Sequence, residues 1–359
     1  MTRFTIVPRE RLASRDFAVF YLLLVAGSVL AIALIFVLMG LDPVAGLRSY
    51  LLGPLAGWGR LSETLLKMSP LLLVAQGLAF GFRARVWNVG AEGQLLIGAI
   101  TGSLVPILLG PALGLASLPA MMVCAAAGGM AWAAIPALLR TRFNASEVLV
   151  TLMLNAIALQ ILWYLIAGPL KDPAGFNWPQ SEPFPSVAMF PILAQGQRLN
   201  ASIFIGLAAT LVAWVVVRHS YWAFRLTVAG LSPDAARYAG FKEKRAIWAS
   251  LLIGGTAAGL AGLGEVAGPI GQLQRVISPG YGSSAIIVAF LGGLNPLGIL
   301  VAAFAFAVLT VGGELAQTSM GLPYFATSII EGVIFIAFLG SQFFLKNRLM
   351  LDRVTGGAR

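Results

Sequence analysis

The fold class is decided by residues 17–39, which read FAVFYLLLVAGSVLAIALIFVLM and contain no charged side chain. About 20 apolar residues are needed to cross the hydrocarbon core of a bilayer as a helix. The run exceeds the roughly 7–15 residues of a signal-peptide core, and arginines precede it at positions 3, 9, 11 and 15. It predicts a first membrane helix that stays in the protein.

The composition extends this prediction to the whole chain. Of its 359 residues, 58% are hydrophobic and 11% are charged, and the mean hydropathy is +0.88, whereas soluble domains carry about 25% charged residues. A soluble fold of this length cannot bury so much apolar surface, so we predict an all-α, polytopic membrane protein. The net charge of +10 does not indicate nucleic-acid binding, because the cations occupy short loops between apolar runs.

Ten apolar runs predict about ten transmembrane helices. They lie at residues 17–39, 64–82, 89–109, 115–139, 147–168, 200–218, 246–264, 282–294, 297–315 and 325–345. With the N-terminus inside, 18 of the 24 Lys and Arg residues fall in inner segments, in agreement with the positive-inside rule. Eight spans with re-entrant pieces would also fit. The eighth run is too short for a straight span, and its glycines predict a broken or re-entrant segment.

This topology divides the chain into a cytoplasmic segment (1–16), a membrane domain (17–345) with a cytoplasmic loop (219–245), and a cytoplasmic tail (346–359). The longest outer connection, from 168 to 199, contains six prolines and is predicted to be irregular rather than a hidden span. Its aromatic residues Phe176, Trp178 and Phe184 suit either a landing surface for an external partner or an ordered linker.

Two glycine-rich polar openings lead into apolar runs five spans apart. They read NVGAEGQLLIGA at 88–99 and SPGYGSSAIIVA at 278–289. An odd offset gives the two halves opposite orientations, and transporters with inverted repeats place their substrate path where such interrupted helices meet. The pair therefore indicates a possible inverted repeat.

Several polar residues interrupt the apolar runs, where an unpartnered carboxylate or amide is costly. Amides and a carboxylate supply both donors and acceptors, which suit hydroxyl-rich or nucleobase-like ligands. The alternative is that these groups tie broken helix ends together. We assign the substrate path to Asn88, Glu92, Gln94, Asn155, Tyr281 and Asn295. Glu147 follows Arg140 and Arg142 closely and is expected to pair at the inner interface.

The cytoplasmic loop contains the stretch GLSPDAARYAG at 230–240, which predicts a helix of about two turns. Ser232 suits the N-cap, Pro233 the first helical position and Asp234 the first turn. Gly240 suits a left-handed stop. A small capped helix on the inner face indicates a docking site for a soluble partner, although a short ordered loop between two spans would have the same pattern.

The sequence contains no motif that would make this chain an enzyme. It has no P-loop, nucleophile elbow or Cys/His cluster, so we expect no catalytic residue, metal or cofactor, and any ATP must be bound by a partner subunit. The small-residue stretches 125–129 and 254–264 instead predict close helix packing.

Together these motifs resemble the permease subunits of ATP-binding-cassette importers for branched-chain amino acids, ribose and other simple sugars. The similarity is greatest to nucleoside permeases that work with basic-membrane-protein-type binding lipoproteins. The residues that carry it, between about 62 and 340, are WNVGAEGQLLIG at 87–98, SEVLVTLMLN at 146–155, GLSPDAARYAG at 230–240 and GYGSSAIIVAFLGG at 280–293.

The resemblance implies a permease for a nucleoside or simple sugar in the bacterial inner membrane, with both termini cytoplasmic. It implies cytoplasmic ATPases, a second permease, often a paralogue, and an extracytoplasmic substrate-binding protein as partners. The inner helix becomes the coupling helix, with Ser232, Pro233, Asp234, Ala235, Ala236, Arg237, Tyr238 and Gly240 as ATPase-coupling residues. The alternative is an ion-coupled secondary transporter with Glu92 or Glu265 as its proton site.

Overall fold

The structure, a computed structural model, describes residues 2–8 and 14–353 and is predominantly helical. The α-helices are α1 Ser14–Leu38, α2 Pro43–Leu47, α3 Trp58–Arg83, α4 Ala91–Leu109, α5 Ser117–Phe143, α6 Glu147–Ala167, α7 Ser202–His219, α8 Tyr221–Leu231, α9 Pro233–Tyr238, α10 Glu243–Glu265, α11 Tyr281–Leu291, α12 Pro296–Met320 and α13 Tyr324–Lys346. Two short π-helical segments, Arg48–Leu52 and Val266–Ile270, follow α2 and α10.

The polytopic membrane fold is confirmed. Within the described residues, seven helical segments are long and apolar enough to cross a bilayer: α3, α4, Ala112–Phe143, α6, α7, Glu243–Ile270 and α12. Three shorter apolar segments, Ala26–Leu38, Tyr281–Leu291 and Phe325–Ala337, correspond to the first, eighth and tenth predicted runs. The eighth is α11, whose 11 residues are too few to span the hydrocarbon core as one helix.

The chain divides into two compact units. One consists of Gly57–Ala307, and the other combines Met1–Ala56 with Val308–Arg359. In the second unit, Tyr50 is buried against Phe36, with ring centroids 6.3 Å apart. A Cβ atom on Gly312 would lie 1.9 Å from the carbonyl oxygen of Tyr50, so this contact requires a residue without a side chain.

The terminal segments pair as a two-stranded antiparallel sheet, β1 Thr2–Pro8 with β2 Asn347–Arg353, in the register Thr2↔Arg353 to Pro8↔Asn347. These strands lie in the segments 1–16 and 346–359, for which no strand was predicted. The β-branched residues at 5–7 favour an extended backbone, but a strand whose partner lies at the other end of the chain leaves no local pairing signal.

Helix α10 lies at the centre of the larger unit and packs against α3, α4 and α5. A Cβ atom on Gly98 would lie 2.1 Å from the Cα of Gly259, and one on Gly129 would lie 2.2 Å from the carbonyl oxygen of Gly255. The backbones of α4, α5 and α10 are therefore in direct contact, which is the packing that small residues permit in membrane helices. The predicted purpose of the stretches 125–129 and 254–264 is confirmed.

The proline-rich outer connection contains no α-helix and runs alongside the segment that follows α10. The N–H groups of Ser181, Phe184 and Phe190 donate to the carbonyl oxygens of Leu273, Gly271 and Ala267, at 2.8–2.9 Å. Of the three aromatic residues that were predicted to suit a surface for an external partner, Phe176 and Trp178 are exposed, whereas Phe184 is buried in the core. The prediction of an irregular connection rather than a hidden span is confirmed, and whether it serves as a landing surface for an external partner stays open.

Candidate functional site

Asn88 and Gln94, both assigned to the substrate path, bond to each other at the start of α4. The Asn88 Nδ2 donates to Gln94 Oε1 at 2.9 Å, and Gln94 Nε2 donates to Asn88 Oδ1 at 3.2 Å. The N–H of Gly90 also donates to Asn88 Oδ1 at 3.0 Å. Both side chains are buried. Their amides therefore close the turn that enters α4, as the alternative reading of these residues expected.

Asn155, on the neighbouring helix α6, forms hydrogen bonds with the backbone of the same turn. Its Oδ1 accepts the N–H of Gly93 at 2.7 Å, and its Nδ2 donates to the carbonyl oxygen of Val89 at 3.0 Å. One amide thus satisfies a donor and an acceptor of a backbone that interrupts the helical ladder. Such irregular backbone is stable at membrane depth only when its polar groups find partners within the protein.

Glu92 joins the two glycine-rich openings. Its carboxylate accepts the N–H of Gly282 at 2.7 Å, and a Cβ atom on Gly282 would lie 2.3 Å from the backbone nitrogen of Glu92. Gly282 lies in the first turn of α11, where free N–H groups and the helix dipole favour a negative charge. The sequence pairing of 88–99 with 278–289 therefore corresponds to a physical contact, while the inverted repeat itself stays a prediction.

Asn295 lies apart from this cluster and is exposed. Its Oδ1 accepts the N–H of Leu297 at 3.1 Å, at the start of α12. The preceding carbonyl oxygen, of Leu294, accepts from Arg83 Nε at 3.2 Å at the end of α3. This geometry is that of a helix-capping asparagine.

Tyr281 lines an open cavity of about 370 Å³ on the predicted outer side. The cavity lies where the segment after α10 meets the start of α11. Its polar lining consists of Lys67, Arg198, Glu265, Gln274 and Tyr281. Glu265 is only 7% exposed and Tyr281 only 2%, so two buried polar side chains border a space large enough for a small ligand. We refer to this space as the outer cavity.

The outer cavity is lined by two cations, Lys67 and Arg198, and one carboxylate, Glu265. Lys67 and Arg198 both attract the Glu265 carboxylate, and Arg198 also forms a two-point ion pair with Glu63, at 2.7 and 3.0 Å. The sequence indicated Glu265 as an alternative proton site but did not assign Lys67, Arg198 or Gln274 to any site. These three residues come from different parts of the chain, and only the folded structure shows that they line one cavity with Glu265.

The short helix of the predicted cytoplasmic loop forms close to its predicted bounds, as α9. Pro233 begins it, and Gly240 adopts the predicted left-handed backbone with φ +76°. One detail is wrong: Ser232 occupies the N-cap position, but its side chain makes no capping hydrogen bond. Its backbone has φ −144° and ψ 89°. The preceding helix α8 was not predicted.

Helix α9 presents two different faces. Ala236 is 4% exposed and packs against the body of the chain, whereas Tyr238 is 97% exposed. Asp234 and Arg237, which form an ion pair at 3.7 Å, are also exposed. Ala235 and Ala239 leave little side-chain bulk on this side. The outward face is therefore available to a partner, while Ala236 positions the helix on its own subunit.

Two remaining predictions concern charge and metals. Glu147 forms an ion pair with Arg140 and accepts the N–H of Trp87 at 3.3 Å, so its predicted pairing is confirmed. Within residues 2–8 and 14–353, no group of three or more His, Cys, Asp or Glu side chains is arranged to hold a metal ion.

Comparison with known proteins gives one family match, described as "Branched-chain amino acid transport system / permease component", over residues 60–339. The glucose ABC transporter permease of Haloferax volcanii is 33% identical over 324 residues, covering 87% of this chain and 84% of the relative. Bacillus subtilis has two similar guanosine ABC transporter permeases. One is 32% identical over 88% of this chain and 90% of its own length. The other is 27% identical over 72% and 84%.

Proposed function

The chain belongs to the family of permease components of branched-chain amino acid transport systems and is a permease subunit of an ABC importer, and we propose that its cargo is a nucleoside or a simple sugar. The relatives named for glucose and guanosine, each more than 30% identical over most of this chain, support this substrate class. Both ligand types carry a hydroxylated ring, which the donors and acceptors of the outer cavity suit.

The exposed face of α9 is the observation that supports coupling between ATP hydrolysis and transport. A cytoplasmic ATPase binds Asp234, Arg237 and Tyr238 and transmits its closure on ATP binding through this helix. Ala236 is buried, and α9 contacts both α8 and α10, so a displacement of α9 reaches the membrane helices. ATP is bound by the partner subunits, and this chain contributes neither catalytic residues nor a cofactor.

Three kinds of partner complete the complex: the ATPase, an extracytoplasmic binding protein and a second permease. The occurrence of two similar guanosine permeases in Bacillus subtilis supports a paralogous second subunit. The chain resides in the bacterial inner membrane with both termini cytoplasmic, which the distribution of its cations supports.

The decisive experiment measures ATP hydrolysis by the purified complex in proteoliposomes, with binding protein loaded with guanosine, uridine, ribose or glucose. Stimulation by a nucleoside or sugar is the expected result. Uphill uptake by this chain alone, driven by a proton gradient, would instead establish the secondary transporter.

The coupling surface is tested by Tyr238→Ala, with Phe143→Ala as the control because Phe143 is an exposed aromatic residue outside the loop. We expect Tyr238→Ala to weaken copurification of the ATPase and to reduce uptake, while Phe143→Ala leaves both unchanged. A Tyr238→Ala complex that assembles and transports normally would contradict the coupling role.

The orientation is tested with one thiol. In a Cys124→Ser background, which removes the only cysteine, Tyr238→Cys should react with an impermeant maleimide only when the cytoplasmic side is accessible. Labelling from the outside of intact cells would overturn the proposed topology.

A further inference from the structure

A second cavity lies between α8 and the start of α10, with a volume of about 260 Å³. Its charged lining residues are Arg225, Lys242 and Arg245, and no carboxylate lines it. The aromatic rings of Trp222 and Phe241 form part of its wall. We call it the basic cavity.

The three cations of the basic cavity are not held in ion pairs among the described residues. Within the part of the chain that the structure describes, no carboxylate forms an ion pair with Arg225, Lys242 or Arg245. The Arg225 guanidinium lies over the rings of Tyr221 and Phe241, at 4.6 and 5.0 Å from their centroids. Such stacking fixes the direction of the guanidinium but does not cancel its charge.

The backbone adds to the positive potential. Lys242 is the N-cap residue of α10, and no side chain caps this end of the helix. Glu243, the acidic residue of this first turn, does not line the basic cavity but a neighbouring one that Arg140 also lines. The first N–H groups of a 23-residue helix therefore lie beside the cavity, where they carry part of the helix dipole. Three side-chain cations and an uncapped helix end together favour an anion with several acceptor oxygens.

An apolar surface adjoins the basic cavity. Along α8, Tyr221, Phe224 and Leu231 are 61%, 56% and 71% exposed. Residues spaced in this way lie on one side of a helix. A helix with an exposed aromatic and aliphatic face beside cations has the composition of an interfacial helix, which buries its apolar face at the boundary of headgroups and acyl chains.

We propose that the basic cavity binds the phosphate of an anionic lipid headgroup, with the apolar face of α8 inserted in the same leaflet. Arg225 and Arg245 offer forked donors to phosphate oxygens, and Lys242 contributes a point charge. The proposal rests on the cytoplasmic placement of this loop. Because Ser232 alone separates α8 from α9, the bound lipid also holds the coupling helix at a fixed depth.

The test uses the complete complex in detergent, to which phosphatidylglycerol is added, and native mass spectrometry to measure the retained lipid. The test variant combines Arg225→Gln, Lys242→Gln and Arg245→Gln. The matched control combines Arg142→Gln, Arg218→Gln and Lys244→Gln, which removes the same charge from the predicted inner surface outside the cavity.

We expect the wild-type and control complexes to retain phosphatidylglycerol and the test variant to bind it roughly tenfold more weakly or worse, because each cation near an anionic headgroup contributes favourably. Phosphatidylcholine should not be retained by the same residues, and inorganic phosphate should compete only weakly. In nanodiscs, phosphatidylglycerol should raise substrate-stimulated ATP hydrolysis in the wild type and the control but not in the test variant.

Equal retention of phosphatidylglycerol by the test variant and the wild type would overturn the proposal. So would equal loss in the control, which would show only a general charge effect. Preferential binding of inorganic phosphate would assign the cavity to a soluble anion, and loss of the ATPase with the lipid retained would assign it to a protein interface. Lipid binding is measured without transport, so substrate stimulation of the wild-type complex tests the proposed function separately.

Discussion

Two polar regions of the Gly57–Ala307 unit use similar side chains for different purposes. At the start of α4, the amides of Asn88, Gln94 and Asn155 bond to one another and to the backbone. In the outer cavity, Glu265 and Tyr281 are equally buried but border an open space of about 370 Å³. A polar residue in an apolar run therefore indicates a binding site only when its surroundings leave room for a ligand.

The difference gives the two regions opposite mutational signatures. Changes in the amide cluster should act on the stability of the protein, since they leave buried polar groups without partners. Changes in the outer cavity should act on the substrate dependence of uptake, since the cavity is already open and we propose that its polar groups contact the substrate.

The largest effect is expected from Asn88→Leu. This change removes three hydrogen bonds and leaves the buried Gln94 amide and the Gly90 N–H unpaired, at about 1–3 kcal/mol for each such group. The membrane abundance and the thermal unfolding midpoint should both fall, as measured by fluorescence-detected size exclusion after heating. Gln160→Leu, an exposed amide on α6, should leave both unchanged.

The double variant Asn88→Leu/Gln94→Leu tests whether the lost stability comes from the unpaired Gln94 amide. Because both partners of the amide pair become apolar, the part of the loss that comes from the unpaired Gln94 amide should return, whereas the Gly90 N–H stays unpaired. If Asn88→Leu folds normally and fails only in transport, the amide cluster belongs to the substrate path after all.

Glu265→Gln should raise the KM for uptake roughly tenfold at unchanged membrane abundance, because it would replace the proposed charge-assisted hydrogen bond to the substrate with a weaker neutral one. Uptake by cells over a range of substrate concentrations gives the KM. Glu182→Gln, an exposed carboxylate in the outer connection, serves as the control. An unaltered KM in Glu265→Gln would remove the outer cavity from the transport path.

Tyr281→Phe should have a smaller effect, with KM raised roughly threefold by the loss of one neutral hydrogen bond. The same uptake assay applies, with Tyr164→Phe as the control because Tyr164 is an exposed tyrosine of α6. A fall in thermal stability without a change in KM would show that the hydroxyl serves packing alone.

The smallest effect is expected from Asn295→Ala. The loss of the hydrogen bond to the Leu297 N–H should cost about 1 kcal/mol of stability, and the KM should not change. Asn295→Ser should restore most of the stability, because serine also caps helices. A raised KM in both variants would return Asn295 to the substrate path.

The sequence predicted the helices well because long apolar runs are a local signal. The bounds of α6, predicted at 147–168 and observed at Glu147–Ala167, differ by one residue. The pattern of Pro233 and Gly240 also predicted α9, since proline and glycine act on the backbone within one turn.

The candidate site was less predictable. Lys67, Arg198 and Glu265 lie far apart in the chain and come together only in the fold. No sequence motif or residue spacing could therefore predict the outer cavity. Sequence also could not separate amides that face a ligand from amides that bond to each other, because both are polar interruptions of apolar runs. Helix α8 was missed because its aromatic and small residues, set in a basic loop, suggested a connection rather than an interfacial helix.

The contacts that join α4, α5 and α10 through Gly98, Gly129, Gly255 and Gly259 constrain how this subunit can change shape. At these glycines the main chains are in direct contact, and no side chain can move aside to make room. The three helices therefore cannot rotate or slide independently without collision. During alternating access they must be displaced as one rigid block. Bending is then left to joints such as Gly280 and Gly293, whose left-handed backbone flanks the short helix α11.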